Sequence, residues 1–168
     1  KNTPEAMRAY ISPKNIKHFT KHNIYTETEM RARYEIHLES YSKVLNIEAQ
    51  TAVDMVKRDI LPAVSAFTDS LSSSILSKRA VSKDIPCTAE METLKKLSGL
   101  SDSLYEKCAQ LECALLKIPE NAQKAAVYYH DTIFTLMQEM RAIADEMETM
   151  TSAEYWPYPT YGEMLFNI

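Results

Sequence analysis

The chain has 168 residues, a net charge of −4 and only two glycines. That length can bury one sizeable core, and the scarcity of glycine argues against the tight turns of a β protein. The strong helix formers Ala, Leu, Met, Glu and Lys dominate, and we find no basic stripe or basic amphipathic helix. We therefore predict an all-α fold with neither nucleic acid nor a membrane as partner.

The first 25 residues predict two short helices. Residues 3–5, Thr-Pro-Glu, are typical of a cap, a proline at the first helical position and an acid near the positive helix end. Ser12-Pro13 repeats this signal and opens a second helix over residues 14–21. Each helix has few apolar anchors, so neither is stable by itself. We expect residues 1–25 to pack against another surface.

The central feature is one very long helix over about residues 26–78. Thr26 and Glu29 have the spacing of a capping box at its start. Pro62 interrupts the helix, but the apolar stripe continues in phase beyond it, so we predict a kink rather than an end. The stripe advances in steps of three or four residues and comprises Met30, Tyr34, Leu38, Tyr41, Leu45, Ala49, Ala52, Val56, Ile60, Val64, Phe67, Leu71 and Ile75.

Two further helices of about thirty residues follow residues 72–87, a serine-rich stretch predicted to form a helix end and a loop. The first is expected to begin at Thr88 and the second at Pro119, and the short connection makes them antiparallel neighbours. Together with the long helix they predict an antiparallel three-helix bundle over residues 26–151, with residues 26–45 projecting beyond it. Their apolar faces comprise Met91, Leu94, Leu97, Leu104, Cys108, Leu111 and Leu115, then Ala122, Ala126, Tyr129, Ile133, Met137, Met140, Ala144, Met147 and Met150.

The C-terminal tail, residues 152–168, is rich in aromatic residues and proline. Pro157 and Pro159 favour an extended path, and Thr160 with Glu163 has the spacing of a cap for a last short turn. So many aromatic side chains outside a periodic element need a surface to cover. We predict that the tail docks, with its own bundle slightly favoured over another domain or subunit, through Tyr155, Trp156, Tyr158, Tyr161, Leu165 and Phe166.

Residue types that perform chemistry are scattered. A di-iron bundle uses Glu-x-x-His on two helices, and no glutamate here has a histidine three positions on. His18 and His22 share a helix face, but no nearby cysteine or carboxylate completes a zinc site. Cys108 lies on a core stripe, and the charges that begin the long helix indicate ion pairs such as Arg31 with Glu35. We predict no catalytic, cofactor-binding or metal-binding residue in this chain.

The cysteines and the chain start bear on location and context. Cys87, Cys108 and Cys113 are an odd number without the spacing of metal ligands, so we interpret them as free thiols of a cytoplasmic protein. No apolar run is long enough to span a bilayer and no signal peptide opens the chain. Because the chain begins with Lys1 rather than Met, we interpret it as a piece of a longer polypeptide.

Several stretches match a known family. Residues 26–36 read Thr-Glu-Thr-Glu-Met-Arg-Ala-Arg-Tyr-Glu-Ile, and residues 154–166 read Glu-Tyr-Trp-Pro-Tyr-Pro-Thr-Tyr-Gly-Glu-Met-Leu-Phe. Residues 3–7, Thr-Pro-Glu-Ala-Met, add a shorter match. These stretches resemble the C-terminal region of type III glutamine synthetases. The resemblance covers nearly the whole chain and is loosest over residues 72–89.

The resemblance implies a parent enzyme that joins ammonia to glutamate through γ-glutamyl phosphate, with ATP and Mg²⁺ or Mn²⁺ as cofactors. The family's metal ligands, phosphate-binding arginines and ammonia site lie in upstream motifs that do not occur here, so we carry none of them over. The chain would then be a non-catalytic helical domain for structure and assembly. Its implied partners are the catalytic domain of the same chain and, in a large homo-oligomer, other copies.

Two other classes remain open. One is a stand-alone helical protein-interaction module whose tail binds a partner. The other is a metal-binding bundle enzyme, which the missing Glu-x-x-His motifs disfavour.

Overall fold

The computed structural model describes residues 2–159 and 161–166, for Tyr161 and Gly162 the backbone only. Every regular element in these ranges is a helix, which confirms the all-α class. The helices are α1 (Thr3–Tyr10), α2 (Pro13–Lys21), α3 (Glu27–Met55), α4 (Leu61–Val81), α5 (Thr88–Leu115), α6 (Ala122–Tyr128), α7 (Thr135–Met150) and α8 (Tyr161–Phe166), with π-helical segments at Val56–Ile60 and Tyr129–Phe134.

The chain divides into two compact units. Unit 1 comprises Lys1–Thr51 and Leu111–Met137, and unit 2 comprises Ala52–Gln110 and Gln138–Ile168. Each unit contains parts of the same three long helical stretches, and each has its own buried side chains. The domain boundaries predicted at residues 25 and 151 divide the chain into consecutive segments. Each of the two units instead combines two stretches that are separate in the sequence.

In unit 1, α1 covers the beginning of the long helix. Tyr34 and Leu38 form a buried cluster with Ala126 of α6, and Met7 and Tyr10 of α1 pack against this cluster. The prediction that residues 26–45 project is therefore wrong, because α6 reaches this part of the long helix and the aromatic and apolar residues of α1 add further cover. The short helix thus does pack against a surface, and that surface belongs to this chain.

Antiparallel pairing within unit 1 is fixed by tyrosine hydroxyls. The hydroxyl of Tyr128 donates to the carbonyl oxygen of Ala114, 3.0 Å away, and joins α6 to the end of α5. The hydroxyl of Tyr129 donates to Oδ1 of Asn46, 3.2 Å away, and joins the following π-helical segment to α3. Buried tyrosines are well suited to this role because the ring fills the core while the hydroxyl reaches a polar partner.

In unit 2, ion pairs show the predicted antiparallel order of α5 and α7. Lys96 lies 2.6 Å from Glu146, and Lys107 lies 2.6 Å from Glu139, so an advance along α5 matches a retreat along α7. The ammonium group of Lys78, near the end of α4, also bonds the carboxylate of Glu90 at the start of α5. The core of this unit includes Val64, Leu97, Leu104, Cys108 and Met147, all fully buried.

Helical structure runs without a break from Glu27 to Val81, past Pro62. Proline has no N–H to bond the carbonyl of Arg58, and its ring crowds the preceding turn. The structure accommodates this with a wider π-helical turn immediately before it, in which the N–H of Leu61 bonds the carbonyl of Val56. The prediction that the helix passes Pro62 is confirmed, and the π-helical turn is the form that the irregularity takes.

The predicted apolar faces agree with the observed burial, with two corrections. Every member of the long-helix stripe is buried or half-buried. Met91, assigned to the face of α5, is 43% exposed because it lies in the first turn, ahead of the well-covered part of the helix. The helix end predicted within residues 72–87 extends to Val81, slightly beyond the expected end near residue 78, and the hydroxyl of Ser72 in α4 donates to the carbonyl of Thr68. Only residues 82–87 connect α4 to α5.

The predicted helix starts agree only in part with the observed N-caps. The capping box is confirmed: the Thr26 N–H donates to Glu29 Oε2 at 2.7 Å, and the Glu29 N–H donates to Thr26 Oγ1 at 3.2 Å. Ser12 caps α2 as predicted, whereas α1 is capped by Asn2 rather than Thr3. The helix expected from Pro119 begins at Ala122, because the side chain of Asn121 accepts the N–H of Lys124.

Candidate functional site

The tail leaves α7 through a compact turn. The hydroxyl of Thr151, a buried polar side chain, donates to the carbonyl of Met147 at 2.8 Å. The carbonyl of Ser152 then accepts the N–H groups of Tyr155 and Trp156, 2.9 and 3.0 Å away. The Met147 carbonyl also accepts the N–H of Thr151 at 3.0 Å, so the turn is tied to the last turn of α7 by two bonds.

Two tail tyrosines contact the long helix of unit 2. The ring of Tyr155 lies against the ring of Phe67, with centroids 5.4 Å apart. The hydroxyl of Tyr158 donates to Asp59 Oδ2 at 2.6 Å, a short bond to a charged acceptor. Asp59 belongs to the π-helical segment before Pro62, and Phe67 follows that proline. The tail therefore contacts the long helix at its π-helical turn and again beyond Pro62.

The electrostatics of this contact follow from its geometry. Partial burial raises the pKa of the Tyr158 phenol well above its ordinary value, and the hydrogen bond to Asp59 and the negative charge of that carboxylate raise it further. All three effects favour the neutral phenol that donates the bond. Because the pKa in the folded chain is raised, the contribution to stability is complete below the ordinary value of about 10 and is lost as the pH rises above it.

We expect Tyr158→Phe to lower the free energy of unfolding by roughly 0.5–1.5 kcal/mol at neutral pH, the usual contribution of one hydrogen bond. Urea unfolding of both chains from about pH 7 to about pH 11 measures it. The difference in unfolding free energy between the two chains should shrink above about pH 10. At that pH the Tyr158 phenol ionises once the wild-type chain unfolds, and this ionisation favours the unfolded state. Tyr41 and Tyr129, whose pKa values are also raised by burial, are present in both chains. An advantage that stays constant over this range would contradict the assigned role.

The six residues predicted for docking fall into separate groups. Tyr155, Trp156 and Tyr158 are half-buried, and two of them make the contacts described above. Leu165 and Phe166 lie on α8 and are 73% and 78% exposed. The side chain of Tyr161, like Thr160 of the expected cap, lies outside what the structure describes.

Sequence reasoning missed the receiving residues. Phe67 was assigned to the core stripe, and Asp59 was not singled out. One signal for the π-helical turn was present: the apolar residues Ala52, Val56, Ile60 and Val64 follow one another in three consecutive steps of four. The mean helical repeat is 3.6 residues, so a run of fours indicates a locally wider turn.

The side chains considered for chemistry are not brought together. No group of three His, Cys, Asp or Glu residues that could hold a metal ion occurs in residues 2–159 and 161–166. The rings of His18 and His22 lie 4.8 Å apart on α2, and His130 Nδ1 lies 2.7 Å from the Asp131 carboxylate. Arg31 pairs with Glu27 at 2.7 Å rather than with Glu35.

The remaining single-residue candidates are structural. Cys87 and Cys108 are buried, Cys113 is exposed, and none of the three forms a disulfide. Within the described part of the chain, no helix combines the length and apolar character needed to cross a bilayer.

Comparison with known proteins identifies the family. A family model described as "Glutamine synthetase C-terminal domain" matches residues 1–79. A glutamine synthetase of Butyrivibrio fibrisolvens is 37% identical over the whole chain, and a type-3 glutamine synthetase of Dictyostelium discoideum is 30% identical over 98% of it. A glutamine synthetase of Bacteroides fragilis is 23% identical over 99% of the chain. The chain spans about a quarter of the length of each relative, between 23% and 24%. It belongs to the glutamine synthetase C-terminal domain family, and the relative named type-3 agrees with the resemblance to the type III group.

Proposed function

We propose that this chain is a non-catalytic domain that gives structure to a longer glutamine synthetase and contributes to its assembly. The observation that supports this is the coverage of the matches: relatives named glutamine synthetase align with nearly all of the chain, which spans only about a quarter of them. Within the described residues, the side chains form packed cores and surface ion pairs instead of a site with convergent reactive groups. A helical scaffold of this kind is suited to holding other parts of a polypeptide in place.

The longer protein would ligate ammonia to glutamate with ATP and Mg²⁺ or Mn²⁺. In this proposal the nucleotide and the metal bind in the catalytic domain of the same polypeptide, and the present chain contributes no ligand to either. Other copies of the protein would be its further partners, in a homo-oligomer. A cytoplasmic location agrees with three cysteines that form no disulfide.

We expect the isolated chain to have no ligase activity, because the described residues provide neither a metal cluster nor a phosphate-binding loop. The measurement is glutamine formation from glutamate, ammonia and ATP with Mg²⁺. The positive control is the longer polypeptide encoded by the extended gene, which should turn over. Turnover by the isolated chain above background would contradict the proposal, as would an upstream sequence without a glutamate-rich catalytic domain.

A stand-alone interaction module is the second candidate. The observation that favours it is the apolar surface of α8, where Met164, Leu165 and Phe166 are all more than half exposed. The gene sequence upstream of Lys1 distinguishes the two candidates, since a module needs no catalytic domain in the same polypeptide.

A further inference from the structure

Charge is distributed unevenly along the chain. Residues 1–26 contain five Lys or Arg and one acid, a net charge of +4, whereas the other 142 residues contain 14 Lys or Arg and 22 acids, a net charge of −8. No acidic residue occurs from residue 6 to residue 26, and no Lys or Arg occurs from residue 142 to residue 168. The two ends of the sequence therefore have opposite charge.

The positive charge is concentrated on α2. Lys14, Lys17 and Lys21 follow one another at spacings of three and four residues, which places them on one helix face. None of the three forms an ion pair with any residue that the structure describes. Several cations on other helices do form such pairs: Lys43 with Glu39, Arg58 with Asp54, Lys96 with Glu146, and Lys107 with Glu139.

A groove with apolar and basic walls lies beside this face in unit 1. Its lining includes Ile11, Ile16, Lys17 and Lys21, together with Arg31 of α3. α2 contains no buried residue, so its apolar side chains are only partly covered. The acid in the lining, Glu27, is already paired with Arg31 at 2.7 Å. The groove therefore offers apolar surface together with lysines that have no acidic partner among the described residues. We name it the α2 groove.

The C-terminal segment has the complementary chemistry. Residues 142–166 contain five acids and no Lys or Arg. Asp145 and Glu146 pair with Arg141 and Lys96 of their own chain, so the charge offered to a partner comes mainly from acids such as Glu148 and Glu154. At its end, α8 exposes three consecutive apolar side chains: Met164 is 58% exposed, Leu165 is 73% exposed and Phe166 is 78% exposed. An acidic segment with an uncovered apolar helix matches a groove with basic and apolar walls in both charge and polarity.

We propose that α8 and the acidic residues before it, in one copy of the chain, dock in the α2 groove of a second copy. The occupant is a second copy because this chain contains both complementary surfaces, the basic groove and the acidic, apolar C-terminal segment, and residues 164–166 stay exposed within their own chain. A nucleic acid fits less well, since Lys14 to Lys21 span only about 10 Å of helix and the rest of the chain repels a polyanion. This contact pairs two different surfaces, so the copy that donates α8 keeps a free groove and the copy that receives it keeps a free α8. Association can therefore continue into rings or open chains.

The contact is small, well below the roughly 800 Å² per partner of a standard stable interface. We therefore expect association that depends on protein concentration and weakens with salt, because about 1 M salt reduces the Debye length to about 3 Å. The inference goes beyond the proposed assembly role by naming the two surfaces. It concerns the 168-residue chain alone, so its outcome is independent of whether a longer polypeptide has ligase activity.

Sedimentation of the purified chain over a range of concentrations tests the proposal. A groove variant, Lys17→Glu with Lys21→Glu, and an α8 variant, in which Met164, Leu165 and Phe166 become Ser, should each associate at least tenfold more weakly than the wild type. All five positions are exposed, and circular dichroism verifies that both variants fold. A control with the same change in net charge, Lys83→Glu with Lys95→Glu, should associate like the wild type.

Mixing the two variants gives the decisive result. The α8 variant keeps an intact groove and the groove variant keeps an intact α8, so an equimolar mixture should form a one-to-one complex and nothing larger. The proposal is overturned if the wild type remains monomeric at every concentration, if the control weakens association as much as the groove variant, or if the mixture does not associate.

Discussion

Ile133→Ala is expected to lower the free energy of unfolding by roughly 2–5 kcal/mol, the usual cost of truncating a large aliphatic side chain in a core. Ile133 lies in the π-helical segment Tyr129–Phe134 of unit 1 and is fully buried. Truncation removes three carbon atoms from contact with the core and leaves a cavity that neighbouring helices, fixed by tyrosine hydrogen bonds, can fill only in part. Urea unfolding followed by circular dichroism measures the change.

Ile47→Ala is the matched control, because it makes the same substitution in the same unit at a side chain that is 64% exposed. We expect a change within about 0.5 kcal/mol, since little apolar area is lost and alanine is the better helix former. Leu104→Ala, fully buried, and Leu76→Ala, 70% exposed, repeat the comparison in unit 2. Equal losses at buried and exposed positions would show that the assignment of the core faces is wrong.

The core faces could be predicted because burial on a helix follows its repeat. The stripe from Met30 to Ile75 keeps steps of three or four over the entire long helix, and each member is at least half-buried. The Thr26 and Glu29 box was equally readable, since both of its bonds are made within four residues. Features of this kind depend on local spacing, which the sequence contains in full.

Features in which a residue has more than one possible partner could not be predicted from the sequence. Arg31 has acids at both four-residue spacings, Glu27 before it and Glu35 after it, and the structure pairs it with Glu27. Spacing alone does not separate these two partners. The cover of residues 26–45 was missed for a related reason. Met7 and Tyr10 are too few to stabilise α1 alone, yet they suffice once Tyr34 and Leu38 supply the opposite surface.

The destination of the tail was open for the same physical reason. The composition of the tail indicated that its aromatic residues are covered by a surface. An extended segment, however, has no helical repeat from which the contacting face could be predicted. Asp59 is one of 23 acidic residues in the chain, and only the folded arrangement brings it within 2.6 Å of the Tyr158 hydroxyl. The role of this contact in holding the tail stays a prediction, and truncation tests it.

Truncation of the chain after Ala153 is expected to lower the free energy of unfolding by roughly 2–4 kcal/mol. It removes the contact of Tyr155 with Phe67, the hydrogen bond of Tyr158 to Asp59 and the half-buried ring of Trp156. Partial burial of aromatic area and one hydrogen bond to a carboxylate together account for a loss of about this size. Thermal and urea unfolding of the truncated and complete chains measure it.

Truncation after Pro159 is the matched control, because it keeps all three half-buried aromatics and removes the exposed residues of α8. We expect its stability to stay within about 0.5 kcal/mol of the complete chain. The two truncations also separate the two parts of the tail. If residues 155–158 hold the tail and α8 binds a second copy, truncation after Pro159 abolishes association without loss of stability. Truncation after Ala153 then abolishes association and also lowers the free energy of unfolding. Equal stability of all three chains would show that Tyr155 and Tyr158 do not stabilise the fold, and that the tail tolerates removal because unit 2 is complete without it.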